Sequence, residues 1–381
     1  MWNGLRALLC ASMAAIGLAG CGTGTRDAAV PPAAHDEAAL ARDRQAFVEA
    51  MKPRRPGRPV VAMLALNEGT ELTDLLLPHA VLQRADVADV RVVAPRAGRV
   101  TLFPALQVEG AQDFASFDRA HPAGADYVIV PAMEPADAPA VKAWLQQQAS
   151  RGARVIGVCS GALVLAHAGL LDGRRFAGHW YDRGTLRKQP GATHVPDRRY
   201  LVDRDVATTT GITASVPATL ALVEAIGGPA KATAMASELG VDGWGPAHAS
   251  APFGLTTGRG AEYLFNKAAF WRGERRRLEV RDGADDIALA LATDAWTRTG
   301  HVDVDAVSAS GPVKLRSGLV LVAGPATHEA KPLPLVAALK PVQQLDRTLC
   351  EIAGRYGNAR RDWVMQEMEY PRTAANTACA S

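Results

Sequence analysis

The chain has 381 residues, of which 42 are basic and 39 acidic, for a net charge of +3. So small an excess, mixed along the length, excludes a dedicated nucleic-acid binder. Hydrophobic residues make up 48% of the chain, enough for one large domain or two smaller ones with a sizeable core.

The first 21 residues read as an export signal. Arg6 supplies the positive start, residues 7–18 an apolar core, and Leu18-Ala19-Gly20-Cys21 a lipobox. Cleavage before Cys21 would leave it N-terminal and lipidated. The apolar core is short for a membrane span. Gly22 stands where an aspartate would signal inner-membrane retention, so the expected location is the periplasmic face of the envelope, on the outer membrane rather than the inner. Residues 22–57, rich in Ala, Pro, Arg and Asp, read as a tether with one short helix over 37–51. Of the five cysteines, Cys10 leaves with the signal and Cys21 carries lipid; Cys159, Cys350 and Cys379 remain in an oxidising compartment. Cys350 and Cys379 either pair or stay free.

Residues 58–66 read as the first core strand, and 69–84 have the apolar spacing of a helix. Strands follow at 87–94 and 100–108, joined by a turn at 95–98. The second is expected at an edge, because Pro104 cannot donate to a ladder. Apolar runs at 127–130 and 155–158 read as buried parallel strands with a crossover helix over 135–151. Cys159 then falls where the second of these strands must end. Gly157 and Gly161 flank it, and 162–168 resume helical spacing, so the chain turns sharply from strand to helix at the thiol. This is the pattern of a nucleophile elbow, with the cysteine at a helix N-terminus that favours a thiolate. The alternative is a small buried cysteine that only packs. Another short strand ends in 208–213, and a helix over 214–226 stops at Gly227-Gly228.

The stretch GVCSGALVLAHAGLLDGRR with the following GHW, and TTTGITASVPATLALVEAIGG further on, resembles the ThiJ/PfpI superfamily, whose fold is glutamine amidotransferase-like. The resemblance covers 58–228. It implies a three-layer α/β/α sandwich with a mainly parallel, flavodoxin-like sheet, and an activity ranging over hydrolases, lyases, chaperones, oxidation sensors and regulator domains. An acid four residues before the proline of the first helix reaches the cysteine in that superfamily; the matching residue is Asp74, with Glu71 one turn earlier as the alternative. Such a carboxyl would share a proton with the thiol. His179 matches a histidine that some members place beside the thiol, although it could equally pack a loop or a dimer contact. Many relatives carry a glycine pair where this chain has Ala132-Met133. That leaves the Ala132 backbone as a doubtful half of an oxyanion site, with the Ser160 N–H as the other half and Gly161 beside it. Ser160 also replaces the histidine of protease-like members, which argues against a peptidase.

Beyond residue 228 the resemblance fades into a smaller C-terminal α/β region, 229–370, before a tail at 371–381. Residues 236–241 look like the middle of a helix-turn-helix, but Asp242-Gly243-Trp244-Gly245-Pro246 forbids the recognition helix. Arg275-Arg276-Arg277 reads as a solvated helix end. Gly69, Leu75, Leu77, Arg84, Asp89, Val90 and Val93 recur 214 residues later as Gly283, Leu289, Leu291, Arg298, Asp303, Val304 and Val307. After a one-residue gap Gly98, Val100, Leu102 and Leu106 recur as Gly311, Val313, Leu315 and Leu319. Either this is a decayed partial repeat, in which Asp74 becomes Ala288 and no elbow cysteine follows, or chance similarity. One more helix is expected over 346–353, and fraying from residue 370.

Two functions fit. One is an enzyme of hydrolase or lyase type using Cys159 on a small carbonyl, amide or isonitrile-like substrate, with Asp74 and His179 handling protons. The other is a non-catalytic thiol redox sensor or small-ligand binding module. Neither calls for a cofactor or a metal. The expected partners are a small molecule and, through the lipid, a membrane; no nucleic acid is expected, and there is room for a homodimer.

Overall fold

A computed structural model describes residues 36–254, 273–327, 329–373, 376 and 379. The expected signal and Cys21, the expected lipidation site, lie outside this range. Within it the chain opens with α1 (Glu37–Ala50), whose N-cap Asp36 accepts from the Ala39 N–H at 3.0 Å. Phe47 and Met51 are fully buried, and the Tyr127 hydroxyl donates to the Met51 carbonyl at 2.6 Å. Residues 37–57 are therefore part of the folded body, which corrects the tether expected over 22–57. An apolar face on so short a helix is stable only against a partner, and the domain supplies one.

β1 (Val60–Leu64), β2 (Glu68–Glu71), α2 (Leu72–Ala85), β3 (Asp89–Ala94), β4 (Gly98–Phe103), β5 (Gln107–Asp113) and α3 (Phe114–Ala120) come next. They lead into β6 (Tyr127–Val130), α4 (Pro139–Ser150), β7 (Arg154–Gly157) and α5 (Gly161–His167). After β8 (Arg175–Phe176), α6 (Arg183–Leu186) and β9 (Thr193–His194), the first half closes with β10 (Tyr200–Asp203), β11 (Val206–Thr209), α7 (Ser215–Gly227) and α8 (Pro229–Leu239). Strands β11, β7, β6, β1, β3 and β5 lie side by side and parallel; β10 and β4 pair antiparallel at either end. The strands alternate as buried strands must. Val61, Met63, Tyr127 and Ile129 face a core shared with α2 and α7, while Ala62, Leu64, Val128 and Val130 face one shared with α3, α4 and α5. This is the α/β/α sandwich with a mainly parallel sheet.

The expected strand over 100–108 is two strands, because Pro104 sits in the turn joining β4 to β5. The expected helix over 69–84 begins only at Leu72, since Glu68–Glu71 pairs with β4. Gly69 is held there by close approach: a Cβ would meet the Glu134 carbonyl oxygen at 2.2 Å.

The C-terminal region comprises β12 (Glu274–Glu279), α9 (Asp286–Thr297), β13 (Val302–Val307), β14 (Val313–Lys314), β15 (Val320–Leu321), β16 (Lys331–Pro332), α10 (Gln343–Tyr356) and α11 (Asn358–Glu367). β13, β12 and β16 form a separate parallel sheet, while β15 and β14 extend the main sheet beyond β5. Leu289, Leu291 and Trp296 belong to the same core cluster as Leu75 and Leu77, so no packing boundary falls at residue 228. Arg275-Arg276-Arg277 lies on β12 and not at a helix end. Arg276 stacks 3.6 Å above the Trp296 ring and pairs with Glu274 at 2.9 Å, which is why it tolerates burial. α8 ends at Gly240 in the left-handed region, and no helix follows over 241–254. Cys350 and Cys379 form a disulfide, and the Tyr370 hydroxyl donates to Asp346 at 3.0 Å. Those two links hold Tyr370 and Cys379 against α10; residues 374, 375, 377, 378, 380 and 381, where fraying was also expected, lie outside the described residues.

Candidate active site

The site lies at the C-terminal ends of β6, β7 and β11, where open parallel sheets present their ligand crevice. Cys159 has φ +53°, a left-handed backbone that is strained for any residue with a Cβ. Three features enforce it. Gly161 packs so closely under β6 that a Cβ there would meet the Val130 carbonyl oxygen at 2.0 Å. The Val158 carbonyl accepts from the Gly161 N–H at 2.7 Å, closing the turn, and the Cys159 N–H donates to Thr209 Oγ1 at 3.1 Å. The chain thus makes the elbow that the spacing of Gly157, Cys159 and Gly161 predicts.

Asp74 reaches this place from α2. It is fully buried, and its Oδ2 accepts from the Ala132 N–H at 3.0 Å. Among the described residues its Oδ1 meets no hydrogen-bond partner. Glu71 is the N-cap of α2: its Oε2 accepts from the Asp74 N–H at 2.7 Å and from the Thr73 hydroxyl at 2.8 Å. Its Oε1 pairs with Arg298 at 2.8 Å, and Arg298 also meets Asp294 at 2.7 Å and Glu367 at 3.5 Å. One guanidinium cannot neutralise so many buried acids. Burial lifts Glu71 to about 7, with Asp294 adding to the rise and Arg298 opposing it. Asp74 rises well above the usual carboxylate range, first through burial and then through the Glu71 charge. With no cation in contact, Asp74 is the member that holds a proton.

The thiol behaves differently from the sequence expectation of a ready thiolate. Burial pushes Cys159 well up, and the charges of Asp74, Glu71 and Asp182 push it further, with Arg298 opposing. α5 has only seven residues, and its dipole does not offset these terms. Cys159 is therefore held as a neutral thiol at rest.

The other expected residues are distributed unevenly. Ser160 Oγ donates to Asp182 Oδ2 and lies 4.0 Å from the Cys159 sulfur. Asp182, which burial raises, is a member that sequence reasoning missed, although it stands three residues after His179. His179 Nε2 donates to the Glu367 carbonyl at 3.1 Å, and burial lowers its pKa to about 3. It is thus a neutral imidazole tied to the C-terminal segment. Trp180 supports the same contact, its indole N–H donating to the Gln366 carbonyl at 2.8 Å and its backbone N–H to Glu369 at 3.0 Å. The Ala132 N–H is committed to Asp74, so that half of the expected oxyanion pair holds the acid instead. Arg298 and Asp294 were also missed as site residues; the only sequence signal for Arg298 was its place in the echo of Arg84.

The DJ-1/PfpI family pattern matches residues 60–225, the span that carries both the elbow and Asp74. Residues 60–225 are a DJ-1/PfpI family domain. The isonitrile hydratase of Pseudomonas putida is 38% identical over 85 residues, 22% of this chain and 36% of that protein. The HTH-type transcriptional regulator CdhR of Pseudomonas aeruginosa is 34% identical over 103 residues, 26% of this chain and 31% of the regulator. The HTH-type transcriptional regulator GlxA of Rhizobium meliloti is 29% identical over 161 residues, 42% of this chain and 48% of its own length. The chain spans less than half the length of each of these curated relatives. Among solved structures, a ThiJ/PfpI family protein from Pseudomonas syringae matches 49% of this chain and 76% of its own, with 25% identity and a TM-score of 0.44. Drosophila melanogaster DJ-1beta matches 49% of this chain and 99% of its own, with 19% identity and a TM-score of 0.44.

Proposed function

We propose that this DJ-1/PfpI domain is a cysteine-dependent enzyme that adds the elements of water to a small isonitrile-like substrate. The observation that carries the reading is the state of Asp74. Its Oδ2 is fixed by the Ala132 N–H while its buried Oδ1 has no partner among the described residues, beside a strained elbow cysteine. Such a site delivers a proton; with the Ala132 N–H engaged, it has lost a main electrostatic term of acyl transfer.

The chemistry follows from those atoms. As the Cys159 sulfur bonds to the terminal carbon of R–N≡C, Asp74 Oδ1 gives its proton to that carbon and receives the thiol proton in exchange, giving the thioimidate R–N=CH–S–Cys. Water then adds across the C=N bond. Collapse to R–NH–CHO expels the sulfur, which recovers its proton through Asp74. No step needs a free oxyanion. The likeness to an isonitrile hydratase supports this choice over small carbonyls and amides.

The envelope location is also our proposal, with Cys21 as the lipidated residue. The lipobox-like Leu18-Ala19-Gly20-Cys21 and the Cys350–Cys379 disulfide support it, since disulfides persist in oxidising compartments. A DNA-binding role is disfavoured by the left-handed stop at Gly240 and the absence of a helix over 241–254. Metabolic labelling with a lipid precursor, comparing wild type with Cys21→Ala, tests the first point.

For the activity, wild type, Cys159→Ala and Asp74→Asn are incubated with an alkyl isonitrile and formamide formation is followed by proton NMR. Formamide from wild type alone is expected. Turnover of aldehydes or amides instead would replace the substrate class. No turnover, combined with reversible oxidation of Cys159 by peroxide, would favour the sensor function.

A further inference from the structure

The echo in the sequence is matched atom by atom in the fold. Glu71 and Arg84 sit at the start and end of α2; 214 residues later Asp285 and Arg298 sit at the start and end of α9. The four pair crosswise, Arg84 with Asp285 at 2.7 Å and Arg298 with Glu71 at 2.8 Å. Each acid also caps its own helix three residues on, Glu71 accepting from the Asp74 N–H and Asp285 from the Ala288 N–H. The hairpins agree in register: Val100 faces Val108 and Thr101 faces Gln107, while Val313 faces Leu321 and Lys314 faces Val320. Their turns share one bond, from the Leu102 N–H to the Leu106 carbonyl and from the Leu315 N–H to the Leu319 carbonyl. β12 lies between β13 and β16 as β1 lies between β3 and β6.

The two copies also meet in a particular way. β5 and β15 pair antiparallel with Val108 opposite Leu321, its own counterpart 213 residues on. A residue facing its own counterpart, and ion pairs exchanged crosswise between helices, are what a two-fold axis produces. We propose that residues 274–322 are a truncated second copy of the β1 to β5 unit, docked across a pseudo-two-fold axis in the place of a subunit partner, and that Arg298 from this copy is a positioning residue for the Glu71, Asp74 and Cys159 cluster.

The axis places two arginines in matching contacts but unequal company. Arg84 meets Asp285 and Glu238, where the matching position of Asp74 is Ala288. Arg298 meets Glu71, Asp294 and Glu367, and through Glu71 it fixes the first turn of α2 on which Asp74 rides. The remaining ionisable groups around this cluster are Asp182 beside Ser160, neutral His179 on the Glu367 carbonyl, and Glu369 on the Trp180 N–H. Without Arg298 no cation contacts Glu71 among the described residues, so both the carboxyls and the thiol should hold their protons to higher pH.

This inference rests on Cys159 being the reactive thiol, so two readouts are used on the full-length protein. The first is the pH midpoint of iodoacetamide alkylation of Cys159, with Cys159→Ala as blank. The second is the midpoint of the protonated-carboxyl infrared band assigned by Glu71→Gln and Asp74→Asn, which needs no reactive thiol. Arg298→Ala should raise both midpoints by about one pH unit or more, and Arg298→Lys should restore them to within about half a unit. Arg84→Ala should lower the melting temperature as much as Arg298→Ala yet leave both midpoints in place. Should Arg298→Ala fail to fold, Arg298→Lys against Arg298→Gln at reduced temperature carries the same comparison. Midpoints equal in wild type and the folded Arg298 variants, or shifted equally by Arg84→Ala, would overturn the proposal. If wild type does not alkylate at all, the nucleophile reading fails while the infrared arm still decides the role of Arg298.

Discussion

The unit built on β1, α2, β3, β4 and β5 and its counterpart built on β12, α9, β13, β14 and β15 share a plan and differ in what continues it. After the first, β6 and β7 extend the parallel sheet and end in the elbow. After the second, β16 takes the position of β6 for two residues, and among the described residues no further strand is added beside it. The first therefore carries the elbow cysteine that we propose as nucleophile, and the second has only the docking face and one arginine that reaches across. A copy can lose its chemistry and stay useful to the other, because packing and charge pairing at its interface do not depend on its own catalytic residues.

Several experiments would break or sharpen that contrast. The largest effect belongs to the first unit alone: Cys159→Ala should abolish turnover, and Asp74→Asn should reduce it by about 10²-fold or more, both with unchanged melting. Steady-state assays with calorimetry test this, and full activity in Asp74→Asn would remove the acid from the mechanism. Next, Leu75 and Leu289 occupy matching, fully buried positions. Truncating either to Ala should cost about 2–5 kcal/mol in a single cooperative transition. Two separate transitions in Leu289→Ala would show that the second copy folds as its own domain. Replacing Cys350 and Cys379 with serine should cost about 3 kcal/mol, because the bridge closes a loop across the end of the chain. Denaturant titration measures that loss.

The smallest effect concerns pH. Burial raises Glu369 to about 7, against an ordinary value of 4.5. A carboxyl raised on folding contributes stability that is whole below its unfolded value and is lost as pH rises through its folded one. Glu369 should therefore make the protein progressively less stable from about pH 4.5 to 7, by on the order of 3 kcal/mol in all. Urea titrations across that window should show a shallower decline in Glu369→Gln. An unchanged slope would mean that Glu369 is ionised throughout.

The site was only partly legible in advance. Gly157, Cys159 and Gly161 revealed the elbow because a sharp strand-to-helix turn needs small neighbours at fixed steps, and that demand is local. Asp74 was reachable through its position before Pro78. His179, matched to a histidine that some ThiJ/PfpI members place beside the thiol, bonds to the Glu367 carbonyl, 188 residues away, a partner that the sequence did not indicate. Asp182 and Arg298 carried no local signature at all.

Sequence alone therefore determined the parallel core, the elbow and the candidate acid, since buried apolar runs, turn glycines and helical spacing act over a few residues. Arg84 and Arg298 were visible as an echo, but their crosswise pairing with Asp285 and Glu71 was not. Only the tertiary structure decided that the Ala132 N–H holds Asp74, that residues 37–57 pack onto the domain, that the thiol is raised and not lowered, and that the second copy leans on the first. Each of these depends on burial and on charges brought together from distant parts of the chain, and those are properties of the folded neighbourhood, which local residue patterns do not encode.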